Sequence, residues 1–196
     1  MIRQSVELQT GKAGEYLVCA DLILNGFVAF LSEQGLPYDV LLDTGERLLK
    51  IQVKTTSGPR VVPQRTKETK AYIFNIKRRG KNGKSVYSAN EVDLFALVCL
   101  DTRKIGYVKP IDMPDTLNLR VDSLKGQYYD EKGVLDSEKA KELHKSITNK
   151  SEVAREMGLC VSQVHRYLTD GHKPYITNAR YFSDIERKPE WFIENF

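Results

Sequence analysis

Polar and apolar positions along the first part of the chain alternate with two different periods. Over residues 7–24, Leu8, Tyr16, Leu17, Ala20, Leu22, Ile23 and Leu24 follow the spacing of a helix that grows more buried toward its end, and Asn25-Gly26 supplies the stop. Residues 27–32 (FVAFLS) predict a strand, and Glu33-Gln34-Gly35 a turn. Residues 38–42 and 48–55 predict an antiparallel pair closed by Asp43-Thr44-Gly45-Glu46. AYIFNIK (71–77) alternates as a strand should. The nearly all-apolar run 92–100 leads through Asp101-Thr102-Arg103 into 104–109 as another hairpin, and TLNLRV (116–121) adds a short edge strand. These elements predict an α/β (α+β) fold in which one helix precedes a mixed sheet.

From about Asp136 the pattern changes to helical. SEKAKELHKSI is followed by NKSEVAREMGLCVSQVHRYL, two short helical stretches around Gly158. Pro174 interrupts the pattern. The tail PEWFIENF carries the only Trp; Pro189 can start its helix, and Trp191, Phe192 and Phe196 are large enough to dock it, most simply on the protein itself. The expected division is residues 1–135 as the α/β core and 136–196 as a small helical region with its docking tail.

Composition narrows the class. At 41% hydrophobic and 29% charged residues, the chain has the make-up of an ordinary water-soluble domain. No run is long enough to span a bilayer, and the start MIRQSVELQTGK lacks the apolar core of a signal peptide. Cys19, Cys99 and Cys160 are odd in number, far apart and in apolar settings, which predicts reduced, buried thiols in a cytosol and no disulfide frame. His144, His165 and His172 have no paired cysteines beside them, against a zinc site. The net charge of +4 is unevenly spread: the window 60–87 holds nine Lys/Arg against the single acid Glu68, so it carries +8 and the remainder −4. Such a concentration favours a polyanionic partner, the plain alternative being a solvated hairpin tip.

The candidate chemistry lies in PYDVLLDTGERLLKIQVKTT (37–56). Side chains two apart on a strand share a face, so Gln52 and Lys54 project together while Ile51 and Val53 turn into apolar packing. The hairpin turn can bring Asp39 beside Gln52, and Glu15 on the preceding helix is the expected fourth member, with Gly11 and Gly14 leaving room for close approach. Two carboxylates and an amide oxygen form a hard oxygen nest suited to Mg²⁺, and a lysine beside it can hold or deprotonate water and offset phosphate charge. Gln52 in place of a third acid lowers the negative charge, which should weaken metal binding until a DNA phosphate joins. Each residue also has a plain structural reading: Glu15 as a solvent-facing helix acid, Asp39 as a turn end, Gln52 and Lys54 as an exposed sheet face.

Glu15, the Asp39 of PYD and the QVK of the next strand resemble the PD-(D/E)xK nuclease superfamily, which includes restriction enzymes and Holliday-junction resolvases. The likeness is greatest to group I intron-type homing endonucleases of this class, where a Gln also takes the (D/E) position. AYIFNIK, the basic hairpin and EVDLFALVCLDTRKIGYVKP agree with it as far as Pro110. Two departures are that Tyr38 separates Pro37 from Asp39 and that Gln52 replaces the usual acid. The resemblance implies a restriction-endonuclease-like core, with Glu15, Asp39 and Gln52 as Mg²⁺ ligands (Mn²⁺ able to substitute) and Lys54 as the catalytic lysine. It also implies double-stranded DNA as substrate and the cytoplasm of a bacterial or phage-infected cell as location.

VAREMGLCVSQVHRYL (153–168) resembles a helix-turn-helix. Ala154 sits where two helices cross, Gly158 can make the turn, and Val153, Met157, Leu159, Val164 and Leu168 form the seam. Ser162, Gln163, His165 and Arg166 would then face the major groove or its phosphates, the alternative being a helical hairpin used only for packing. The hairpin KRRGKNGK should lie along a groove through Lys77, Arg78, Arg79, Lys81 and Lys84. The expectation is a Mg²⁺-dependent, sequence-specific double-strand endonuclease of the homing type. Cutting both strands with one site per chain requires a homodimer or higher symmetric oligomer. The rivals are a junction resolvase or restriction-type nuclease on the same core, and a non-catalytic DNA-binding regulator that kept a degenerate nuclease core.

Overall fold

A computed structural model describes residues 5–62, 70–80, 83–85, 87–88, 90–121, 127–130, 132–168 and 179–196. The chain opens with α1 (Val6–Leu24), capped by the Ser5 hydroxyl accepting from the Leu8 N–H. Strands β1 (Val28–Leu31), β2 (Val40–Asp43), β3 (Leu48–Thr56), β4 (Arg60–Val61), β5 (Lys70–Asn75), β6 (Arg78–Gly80), β7 (Gly83–Ser85), β8 (Leu94–Cys99), β9 (Lys104–Val108) and β10 (Thr116–Arg120) follow. Helices α2 (Ser137–Ser146), α3 (Lys150–Glu156), α4 (Val161–Leu168) and α5 (Pro189–Asn195) complete it. No described helix is long and apolar enough to cross a membrane.

The strands form more than one sheet. β1-β2-β3-β8-β9 is a five-stranded sheet, β10-β5-β4 a three-stranded sheet, and β6-β7 a two-stranded ribbon. The first is mixed: β3 and β8 run parallel, and every other pair is antiparallel. β8 is buried along its whole length, because its two faces belong to two cores. Leu94, Ala96 and Val98 face the cluster containing Val18 and Leu22 of α1; Phe95, Leu97 and Cys99 face Tyr72 and Phe74 of β5 and Leu117 and Leu119 of β10. The two aromatic residues of AYIFNIK are thus core.

The helix buries a different stripe from the expected one. Gly14, Val18 and Leu22 point inward at intervals of four, while Leu8, Tyr16, Ile23 and Leu24 are exposed. A Cβ built at Gly14 would stand 1.9 Å from Thr55 Oγ1, so the missing side chain is what lets α1 lie on β3. Tyr107 Oη on β9 donates to Asp21 Oδ2 at 2.7 Å and ties the helix to that strand.

Two compact units divide the chain, Met1–Val121 with Arg180–Phe196, and Asp122–Ala179. The expected division after residue 135 therefore falls elsewhere. The tail returns to the first unit: Tyr107 N–H donates to the Ile185 carbonyl at 2.8 Å, and Phe192 packs edge-on to Phe27 and Tyr107. The tail thus docks on the protein itself through Trp191, Phe192 and Phe196, as its aromatic residues led one to expect. In the second unit Tyr129, Leu135, Ala140, Val153, Ala154, Met157, Leu159, Val164 and Tyr167 form one apolar cluster. Gly158 takes φ 65° between α3 and α4. The two tyrosines were absent from the expected seam; Tyr129 is buried with its hydroxyl donating to the Met157 carbonyl at 2.8 Å.

All three cysteines are free, but only Cys99 is buried; Cys19 is half-buried and Cys160 exposed. Cys160 stands just before α4, outside the apolar seam, and its thiol is pulled below its ordinary pKa chiefly by the Ser162 hydroxyl 3.0 Å away.

Candidate active site

The β2–β3 hairpin folds Asp39 back against the inner strand. Asp39 N–H donates to the Ile51 carbonyl at 2.8 Å, and Gly45 makes the connecting turn at φ 85°. Asp39 Oδ2 then accepts from the Val53 N–H at 2.8 Å and from Gln52 Nε2. The Gln52 amide nitrogen also donates to the Val53 carbonyl at 3.2 Å. Both of its protons are engaged, which leaves Oε1 as the amide's remaining acceptor. Gln52 is one of two buried polar residues among those described, the other being Thr56, and this bonding is what makes its burial tolerable.

Glu15 reaches the same place from α1. It is half-buried and paired with Lys12 Nζ at 2.8 Å, one turn earlier on the helix. Its charge is felt at Asp39, whose carboxyl is held above the ordinary value of 3.8. Burial is the main cause and Glu15 adds to it; the Val53 N–H, Lys54 and Lys12 oppose it. Two acids, one amide and two lysines therefore share one electrostatic neighbourhood. Their formal charges cancel, which is the condition under which so many ionisable groups can sit together half out of water.

Lys54 shares its strand face with Gln52, as the two-residue spacing requires. Its Nζ donates to Tyr87 Oη at 2.9 Å. Lys12 and Tyr87 are the two neighbours not singled out from sequence. Lys12 had a usable signal, its i, i+3 spacing to Glu15. Tyr87 had none, since it is 33 residues from its partner.

The expected DNA-contacting residues are placed unevenly. Lys77 is engaged by Asp115 in an ion pair. Arg78 lies on β6 opposite Ser85, and Arg79 opposite Lys84 on β7, so the basic segment does form a hairpin; Lys81 lies outside the described residues. On α4, Ser162, His165 and Arg166 are exposed. Gln163 is half-buried with Oε1 accepting from the Cys160 N–H at 2.9 Å, and His165 Nδ1 lies 3.3 Å from Lys150 Nζ. Gln163 therefore caps α4 while its neighbours line the outer face. Among the described residues no three His, Cys, Asp or Glu side chains gather as a metal-holding group, so an ion here would rely on two carboxylates plus the amide.

Among solved structures, a bacterial homing endonuclease, I-Ssp6803I, aligns at 18% identity with a TM-score of 0.48, covering 65% of this chain and 86% of that one. No curated protein matches the chain. The profile of the PD-(D/E)XK endonuclease family matches residues 7–129, which include all four predicted site residues. By that match, the chain belongs to the PD-(D/E)XK endonuclease family.

Proposed function

We propose that the protein is a Mg²⁺-dependent, sequence-specific double-strand DNA endonuclease of the homing type, acting as a homodimer or higher symmetric oligomer. The observation that carries this reading is the buried Asp39 carboxyl held by the Gln52 amide and the Val53 N–H, with the charges of Glu15 on α1 and Lys54 on β3 acting on it. The donor set fits a hard divalent cation: a carboxylate whose ionised form is disfavoured by burial and by a second acid is stabilised by such an ion. Glu15, the second oxygen of Asp39 and Gln52 Oε1 would hold it. When bound, Mg²⁺ (or Mn²⁺) supplies an acidified water and neutralises phosphate charge.

The chain's own groups do the remainder. Lys54 offers an ammonium to the charge that builds on the phosphate oxygens during attack. Val53 N–H and Gln52 Nε2 hold Asp39 by one oxygen and so fix the direction of the other. Lys12 compensates Glu15 in the free protein and would be available to a phosphate were Glu15 to hold a cation. The β6–β7 hairpin and the exposed residues of α4, read as the recognition helix of a helix-turn-helix, extend the contact along the duplex.

Incubating the protein with a genomic DNA library and Mg²⁺ and sequencing the new ends tests this reading. Ends clustered at one sequence, absent with chelator, are expected. Cleavage of four-way junctions regardless of sequence would favour a resolvase. Tight binding without any nicking would mark a regulator with a degenerate core.

A further inference from the structure

We propose that Tyr87 is a positioning residue for Lys54, holding its ammonium in the attitude that cleavage requires; this rests on the nuclease reading of the site. Lys54 Nζ stands 2.9 Å from Tyr87 Oη and 5.1 Å from the ring centroid. The two distances together put the ammonium beyond the hydroxyl end of the ring and not above its face, so the hydrogen bond is the working contact and the π contribution is minor.

The ring is itself held. Tyr87 packs edge-on to Phe95 with centroids 5.4 Å apart and planes at 80°. Phe95 is buried on β8 directly opposite Gln52 in the parallel β3–β8 ladder. The β3–β8 pairing thus seats the phenol, through Phe95, beside Lys54, the next side chain after Gln52 on that face of β3. A lysine has four rotatable bonds, and an ammonium left to choose among water, Asp39 and a phosphate would spend little time in one place. The phenol restricts that choice without adding charge.

The chain position of Tyr87 gives the contact a second meaning. It follows β7, the outgoing strand of the basic hairpin, so the segment expected to meet DNA is continuous with the group that orients the lysine.

Tyr87→Phe keeps the ring on Phe95 and removes only the hydroxyl. The expected result is a fall in kcat of about 10- to 100-fold, the loss that goes with one hydrogen bond to a charged group. KM and duplex affinity should stay within about twofold, because no substrate contact is removed. The Lys54 ammonium, recorded by proton–nitrogen NMR of lysine-labelled protein and assigned by its loss in Lys54→Met, should be visible in the parent and lost to water exchange in Tyr87→Phe. That readout needs no turnover. If Lys54→Met is dead while Tyr87→Phe cleaves at the parental rate and keeps the ammonium signal, the positioning role is wrong and the site stands. If Lys54→Met itself cleaves normally, the site reading falls and this proposal with it.

Discussion

In the sheet unit, the residues read as functional come from a helix and the hairpin that follows it, and each depends on another for its place. Asp39 is oriented by Val53 and Gln52, Glu15 is paired with Lys12, and Lys54 rests on Tyr87. In the helical unit the corresponding residues sit on the single helix α4, whose inner face of Val164 and Tyr167 is sealed in an apolar seam. Outward residues there can change without disturbing the seam. The sheet site is interdependent, whereas the helical face is separable from its support, so equivalent substitutions should have very different consequences in the two places.

The largest contrast is in cleavage. Lys54→Ala should lower DNA cleavage by about three orders of magnitude while leaving duplex affinity nearly intact, as gel-based cleavage and binding assays would show. Cleavage within tenfold of the parent would mean that the lysine is not part of the chemistry. Next comes the support beneath the site. Gly14→Ala drives a methyl into Thr55 Oγ1, with Thr55 Cβ and Cγ2 also 3.0 Å from the same point, and should cost about 1–3 kcal/mol. Thermal unfolding should fall by several degrees, and adding Thr55→Ala should recover part of it.

A third test uses pH. An Asp39 carboxyl raised above 3.8 favours folding in its neutral form; that contribution is complete below 3.8 and is lost as pH rises through the raised value. Asp39→Asn carries no charge and can still accept from Val53 and Gln52. It should therefore melt higher than the parent at neutral pH without metal, the difference vanishing in acid, while cleaving no DNA. A variant that melts lower at neutral pH would show that the charged carboxylate is well stabilised as it stands. The smallest effect belongs to the helical face. Arg166→Ala should leave the melting temperature unchanged and reduce the salt slope of DNA binding by about one, the change for one lost phosphate contact. An unchanged slope would remove Arg166 from the interface.

Truncation is a poor way to separate the units. Removing everything after Ser146 also strips Phe192 from the first core, so loss of DNA binding could reflect loss of the fold.

What could be read in advance follows the same contrast. The period-two pattern of β3 and the turn at Gly45 were enough to place Gln52, Lys54 and Asp39 together, because a hairpin is a local object. The seam of α3 and α4 was legible for the same reason. The burial of α1 was legible only in part: Leu22 and the close approach at Gly14, which Thr55 takes up, could be read, whereas Val18 between them was missed and Tyr16, Ile23 and Leu24 turned out exposed. The pairing of β5 with β10 and β4 in a second sheet, and the particular partners Phe192 finds in Phe27 and Tyr107, are contacts between distant segments, although the docking of the aromatic tail on the protein was itself legible. Tyr87 belongs with them, since an isolated tyrosine after a basic hairpin gives no hint of its partner.

On the proposed function, Glu15, Asp39 and Gln52 hold one divalent ion beside Lys54. Titrating Mn²⁺ into the protein with a cognate duplex, followed by electron paramagnetic resonance of the free ion, tests it most directly. Uptake of Mn²⁺ by the parent and its loss in both Glu15→Gln and Asp39→Asn is the expected result; uptake undiminished in those two variants would contradict it.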